Sequence, residues 1–258
     1  MKQKQVTSMI IISSLTSLLW IIGLGWTIQS YFQTSIAAEK PKPAQLEQEI
    51  HKDGINIVAL GDSLTRGTGD EEGKGYVGHA LDLLKKKTDE KLLVRNLGIK
   101  GLTSQELVEQ IQQKEVQRQL NQADIILISI GGNDLFRGGQ GLVDLGEENF
   151  EKIQAQFSAN INQVFSEIRN QNSQGTIYLI GLYNPFIELG NGAETSKIVR
   201  EWNFQTATIV AEYPNTVLVP TFDLFQLKVN DFLYSDKFHP NSEGYKLIAE
   251  RVVALITW

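Results

Sequence analysis

Residues suited to nucleophilic acyl chemistry stand in several short, loop-forming stretches of this chain. Ser63 lies in Gly61-Asp62-Ser63-Leu64, directly after the apolar run Ile55–Leu60. A serine hydroxyl is a weak nucleophile until a base within hydrogen-bond reach takes its proton. The chain has 3 histidines, so an imidazole base must be His51, His79 or His239. His239 stands in Asp236-Lys237-Phe238-His239-Pro240, where the proline disfavours helical backbone at the histidine. Asn241 is suited to cap the helix that follows. Asp236 is close enough in sequence to fold back onto one imidazole nitrogen, fixing the tautomer and leaving the other nitrogen for Ser63. Acyl transfer also needs donors aimed at the developing oxyanion. The backbone N–H groups of Ser63 and Gly101, with the side-chain amide of Asn133, are the candidates.

Something must bring these residues together. From Ile55 onward, apolar runs alternate with helical patterns. The expected strands are Ile55–Leu60, Lys91–Asn96, Asp124–Ile130, Thr176–Leu182 and Thr216–Val219. The third and fourth are almost continuously apolar, as strands buried on both faces are. Helical spacing predicts helices over Tyr76–Lys87, Ser104–Leu120, Asn149–Asn170, Ser196–Tyr213 and Asn241–Ile256. In one of them Phe150, Ile153, Phe157, Ile161, Val164, Phe165 and Ile168 form a core-facing stripe. Alternation of this kind predicts a parallel sheet covered by helices on both sides, with functional groups beyond the C-terminal strand ends.

Four stretches fall at or near such ends: Gly61-Asp62-Ser63-Leu64, Asn96-Leu97-Gly98-Ile99-Lys100-Gly101, Gly131-Gly132-Asn133-Asp134, and Asp236 to Pro240. Together, in this order, they resemble the SGNH/GDSL hydrolase superfamily. The resemblance spans Ile55 to Trp258. It implies a three-layer α/β/α flavodoxin-like fold with a five-stranded parallel sheet, and ester or thioester hydrolysis without a cofactor or metal. It also implies that Ser63 is the nucleophile, that Gly101 and Asn133 complete the oxyanion hole with Ser63, and that Asp236 and His239 finish the triad. The superfamily includes lipases, lysophospholipases, thioesterases and carbohydrate acetylesterases, so the expected substrate is an acyl ester, with lipid and lysophospholipid among the candidates. Acyl transfer to, or deacetylation of, a cell-surface polysaccharide is the alternative; a non-catalytic, membrane-tethered binding module is another.

Each stretch also has a plainer reading. Gly-Asp-Ser is ordinary turn chemistry, Gly101 can end a strand, Asn133 can hold a turn, and His239 can sit near a helix start. Their joint occurrence is what favours catalysis. Asp62 and Asp134 adjoin proposed catalytic residues; bonding to nearby backbone N–H groups is the expectation for both. His51 reads as solvated and His79 as a packing residue. The glycines of Arg66–Gly75 invite a nucleotide-binding reading, but Glu72 and Gly75 occupy places where the dinucleotide and P-loop patterns need other residues. There is no G-x-S-x-G elbow around Ser63, which argues against an α/β-hydrolase. Loops Leu135–Glu148, Tyr183–Thr195 and Thr221–Ser235 flank the expected site. They carry Phe136, Leu142, Phe186, Ile187, Leu189, Phe222, Leu224, Phe225 and Phe232, some of which are expected to line an acyl pocket and most to be core.

Composition narrows the remaining classes. The absence of cysteine rules out disulfides, a thiol nucleophile, Cys-based zinc sites and a lipidated lipoprotein cysteine. A formal charge of -6 argues against nucleic acid as a partner. Val6 to Ala38 carries no charge and follows Lys2 and Lys4. Residues 1–37 therefore read as a membrane anchor or a signal peptide. The length of the apolar run and Trp20, Trp26 and Tyr31 favour the anchor; Ser35-Ile36-Ala37 offers a cleavage site. Either reading places the remainder outside the cytoplasm. Residues 38–53, with Pro41 and Pro43, read as a linker and 54–258 as the hydrolase domain.

Overall fold

The apolar runs become five parallel strands: β1 (Ile55–Gly61), β2 (Leu92–Asn96), β3 (Ile125–Ser129), β4 (Thr176–Ile180) and β5 (Thr216–Val219). The structure, a computed structural model, describes residues 54–136 and 147–257, together with Leu19, Trp20, Gly23 and Leu24. The chain divides into two units, Met1–His51 and Lys52–Trp258, and all five strands belong to the second. The sheet order is β2-β1-β3-β4-β5. Between and after them run α1 (Ser63–Arg66), α2 (Gly75–Leu84), α3 (Ser104–Ile111), α4 (Lys114–Asn121), α5 (Gly132–Phe136), α6 (Glu147–Gln171), α7 (Gly192–Val210), α8 (Phe222–Phe225), α9 (Val229–Phe232) and α10 (Ser242–Leu255).

Successive strand side chains point to opposite faces, and here both faces are covered. Val58, Leu60, Ile126 and Ile128 pack with Leu107, Ile111, Ile161, Phe165 and Trp202 of α3, α6 and α7. Ile57, Ala59, Ile125 and Leu127 pack with Tyr76, Tyr245, Ile248 and Val252 of α2 and α10. These two cores make the three-layer α/β/α architecture. Each large apolar side chain so buried contributes roughly 1.5–3 kcal/mol relative to exposure. The expected stripe of α6 is present: Phe157, Ile161, Val164, Phe165 and Ile168 are buried, while Phe150 and Ile153 lie at its partly buried edge.

One expected element is corrected. Ser104–Leu120 is two helices, α3 and α4, separated at Gln113, whose backbone is extended (φ -67, ψ 129). Leu107, Val108 and Ile111 share a face, but Val116 follows Ile111 by five residues, which is about 140° around an unbroken helix. The break re-phases the chain, so Val116 and Leu120 reach the core as well.

The strand order places β2 on one side of β1 and β3 on the other. The crevice beyond the C-terminal ends of β1 and β3 is thus the topological switch point, where open α/β sheets bind ligands. Apart from the helical Leu19, Trp20, Gly23 and Leu24, the anchor-or-signal and linker readings fall outside the described residues. Among the described residues, no helix is long and apolar enough to cross a membrane.

Candidate active site

Ser63 is delivered by the turn from β1 into α1. The register of β1 and β3 sets Gly61 beside Ser129. A Cβ at Gly61 would stand 1.9 Å from the Ser129 carbonyl oxygen, and φ is +120, so only glycine allows the strands to close there. Asp62 then caps α1, its Oδ1 accepting from the Leu64 N–H at 3.0 Å. Ser63 is the first residue of α1 and is buried.

The base arrives from the opposite end of the sequence. Asp236 folds its own loop: Oδ1 accepts from the Phe238 and His239 N–H groups, each at 3.0 Å. Lys237 takes up left-handed backbone (φ 57) within that turn. Its other oxygen, Oδ2, lies 2.7 Å from His239 Nδ1. Tyr183 donates its hydroxyl to the Phe238 carbonyl at 2.6 Å, fastening the loop to the segment after β4. His239 Nε2 stands 2.8 Å from Ser63 Oγ. Burial pushes the Asp236 carboxyl up, but hydrogen bonds from the His239 ring and the His239 and Phe238 N–H groups outweigh it and hold it below the usual carboxylate range. An ionised carboxylate only accepts. Nδ1 therefore carries the proton, and Nε2 is free to accept from Ser63.

Asn133, in α5, lines the same cavity as Ser63. Its Nδ2 donates to the Leu102 carbonyl at 2.9 Å, tying α5 to the loop after β2 that carries Gly101. Gly101 is exposed and is not among the residues lining the cavity. The cavity is walled by Phe136, Leu182, Tyr183, Pro185 and Phe238. Of the apolar loop residues singled out from the sequence, Phe136 lines it and Phe186 packs edge-on against Phe136 at 5.4 Å. Phe222 and Phe225 are core, and Leu189 is exposed. Ile187, Leu224 and Phe232 pack partly buried against the core. Leu142 and the glycine-rich stretch around it lie outside the described residues. Phe238 escaped the sequence reading, although its place beside His239 was a signal for it.

Residues 59–247 match the GDSL-like lipase/acylhydrolase family. The chain belongs to that family. The uncharacterized protein YpmR of Bacillus subtilis strain 168 is 34% identical, over 86% of this chain and 89% of that protein. The spore germination lipase LipC of Bacillus licheniformis is 26% identical, over 78% of this chain and 95% of LipC. Among solved structures, the lipase Lip_vut3 from a goat rumen metagenome has a TM-score of 0.68 at 23% identity, covering 78% of this chain and 96% of its own. The acetylxylan esterase Axe2 of Geobacillus stearothermophilus has a TM-score of 0.60 at 22% identity, covering 79% and 95%.

In this GDSL-like lipase/acylhydrolase the two aspartates next to the site residues do shape loops. Asp134 accepts from the Ser104 N–H at the start of α3, and Asn160 holds the Ser104 hydroxyl at 2.8 Å. Asp62 belongs to a buried network that sequence spacing did not disclose. Ser129 Oγ lies 2.6 Å from Asp62 Oδ1 and 2.7 Å from Thr65 Oγ1, which in turn meets Tyr76 Oη at 2.9 Å. Ser129 was visible in the sequence as the polar residue within the apolar run of β3.

Burial pushes the Asp62 carboxyl up to about 6, against the Ser129 and Leu64 hydrogen bonds. The folded state therefore holds this proton more tightly than the unfolded chain does. The contribution of this group to stability is fully present below about pH 4 and is lost as pH rises through 6, by up to about 3 kcal/mol. Asp62→Asn is neutral at every pH and retains the capping oxygen. Its thermal midpoint is expected to exceed that of the wild type above pH 6 and to converge with it below pH 4. Parallel pH dependence of the two midpoints would refute the assignment.

Proposed function

We propose that this protein is an extracytoplasmic serine hydrolase that cleaves carboxylic acyl esters through Ser63, His239 and Asp236, lipid or lysophospholipid esters being the expected class. One observation carries the reading: the relay from Ser63 Oγ to His239 Nε2 at 2.8 Å and from Nδ1 to Asp236 Oδ2 at 2.7 Å, beside an apolar cavity. Similarity to a lipase and to an acetylxylan esterase supports ester substrates. The lysines that precede the uncharged N-terminal run support export.

Ser63 Oγ bonds to the acyl carbon while its proton passes to Nε2. The carbonyl electrons move to oxygen, where the Ser63 and Gly101 N–H groups and the remaining amide hydrogen of Asn133 stabilise the charge. Collapse expels the alcohol, which takes its proton from the imidazolium, and leaves an acyl-serine. Water, deprotonated by the same nitrogen, repeats the sequence and releases the acid. Asp236 stays ionised throughout and stabilises the imidazolium. The acyl chain lies against Phe136, Leu182 and Phe238.

A fluorophosphonate probe is expected to label Ser63 and abolish hydrolysis of a short p-nitrophenyl ester. Labelling at another residue would overturn the reading.

A further inference from the structure

The loop Gly67–Gly75 between α1 and α2, which matches no nucleotide-binding pattern, contains a buried carboxylate that the reaction does not use. The Asp70 side chain is 0% exposed. It accepts from the N–H groups of Glu72 at 3.0 Å, Lys74 at 2.9 Å and Gly75 at 2.7 Å. It also accepts from His79 Nε2 at 3.1 Å and from the Ser242 hydroxyl at 2.6 Å. His79, expected only to pack, is thus one of its donors. Burial alone would raise the Asp70 carboxyl; the hydrogen bonds from Ser242 and the three backbone groups outweigh it and keep the carboxyl below the usual range.

The backbone donors and His79 come from the loop itself and from α2. Ser242 is different: it is the first residue of α10, just beyond His239, and lies 172 residues away in sequence. Two further contacts run between the same segments. Tyr245 donates its hydroxyl to the Thr68 carbonyl at 2.7 Å. Gly69, at φ +92, passes so close behind the base that a Cβ there would stand 3.0 Å from His239 Cβ and 2.7 Å from the Pro240 carbonyl oxygen. The other end of the loop is anchored on the nucleophile, since the Gly67 and Thr68 N–H groups both donate to the Ser63 carbonyl, at 3.0 and 2.9 Å.

These bonds close a ring through Ser63, Gly67, Thr68, Gly69, Asp70, Ser242 and His239. We infer that Asp70 is a positioning residue that sets the separation of base and nucleophile, by clamping the start of α10 to the loop that continues from α1. The Asp236 turn and the Tyr183 bond shape the histidine loop, whereas the Asp70–Ser242 bond fixes it relative to the element bearing Ser63. The inference rests on the serine-hydrolase reading above.

Ser242→Ala removes the Asp70 bond to α10 and leaves the Tyr245–Thr68 bond and the other donors to Asp70 in place. Its kcat on a p-nitrophenyl ester is expected to fall about tenfold with KM unchanged, and Asp70→Asn to lower kcat about a hundredfold, as a misplaced reacting group does. The rate of fluorophosphonate labelling falls in parallel, while the thermal midpoint of Ser242→Ala stays close to that of the wild type. Ser242→Thr, which keeps the hydroxyl, restores both rates. Wild-type kcat and labelling in Ser242→Ala, or a lowered midpoint with unchanged turnover per folded molecule, would overturn the positioning role. Failure of the probe to label Ser63 in the wild type would instead overturn the underlying reading.

Discussion

Ser63→Ala is expected to lower turnover of a p-nitrophenyl ester by about 10⁴- to 10⁶-fold, the range seen when the nucleophile of a triad is removed. The substitution deletes one oxygen, whose hydrogen bond is to His239 Nε2. The cap of α1 is made by Asp62, and the bonds from Gly67 and Thr68 end on the Ser63 backbone carbonyl, so both survive. Alanine is favourable within the first turn of a helix. The thermal midpoint should therefore stay near that of the wild type while labelling disappears. Residual catalysis over water would come from the oxyanion donors and substrate binding. Turnover within tenfold of the wild type would refute the nucleophile assignment.

Asp236→Asn is expected to cost about 10² to 10⁴-fold in kcat, through the tautomer of the base. The asparagine carbonyl can still accept from the Phe238 and His239 N–H groups, as Oδ1 does now. Its amide nitrogen then faces Nδ1, from which the carboxylate accepts a hydrogen bond at 2.7 Å. Nδ1 must become the acceptor, and the ring proton moves to Nε2, the nitrogen that should accept from Ser63. The loop is preserved and the base is lost. Side-chain exposure of Asp236 is 39%, so solvent competes for the carboxylate and the loss should be smaller than for Ser63→Ala. An Asp236→Asn enzyme with unchanged kcat would show that this carboxylate does not hold the tautomer.

Much of this molecule was legible along the chain. The buried strands announce themselves as continuous apolar runs because both sheet faces are covered, and their alternation with helical stripes implies the parallel sheet. The Asp62 cap, the Asp236 turn and the Asn241 cap were readable for a related reason. Each joins atoms two or three residues apart, and backbone preferences near proline and at helix starts govern such bonds. The helix break at Gln113 was less legible, although the misphased Val116 carried its signal.

Sequence by itself thus determined the layer order, the residue types at the strand ends and the local turns that present them. Tertiary structure alone decided which of those turns face one another. Ser63 and His239 are separated by 176 residues, Asp70 and Ser242 by 172, and Ser129 and Asp62 by 67. No spacing in the chain encodes those meetings. They follow from strand register and crossover geometry, which lay distant segments side by side, and from core packing that fixes them there to within a hydrogen bond.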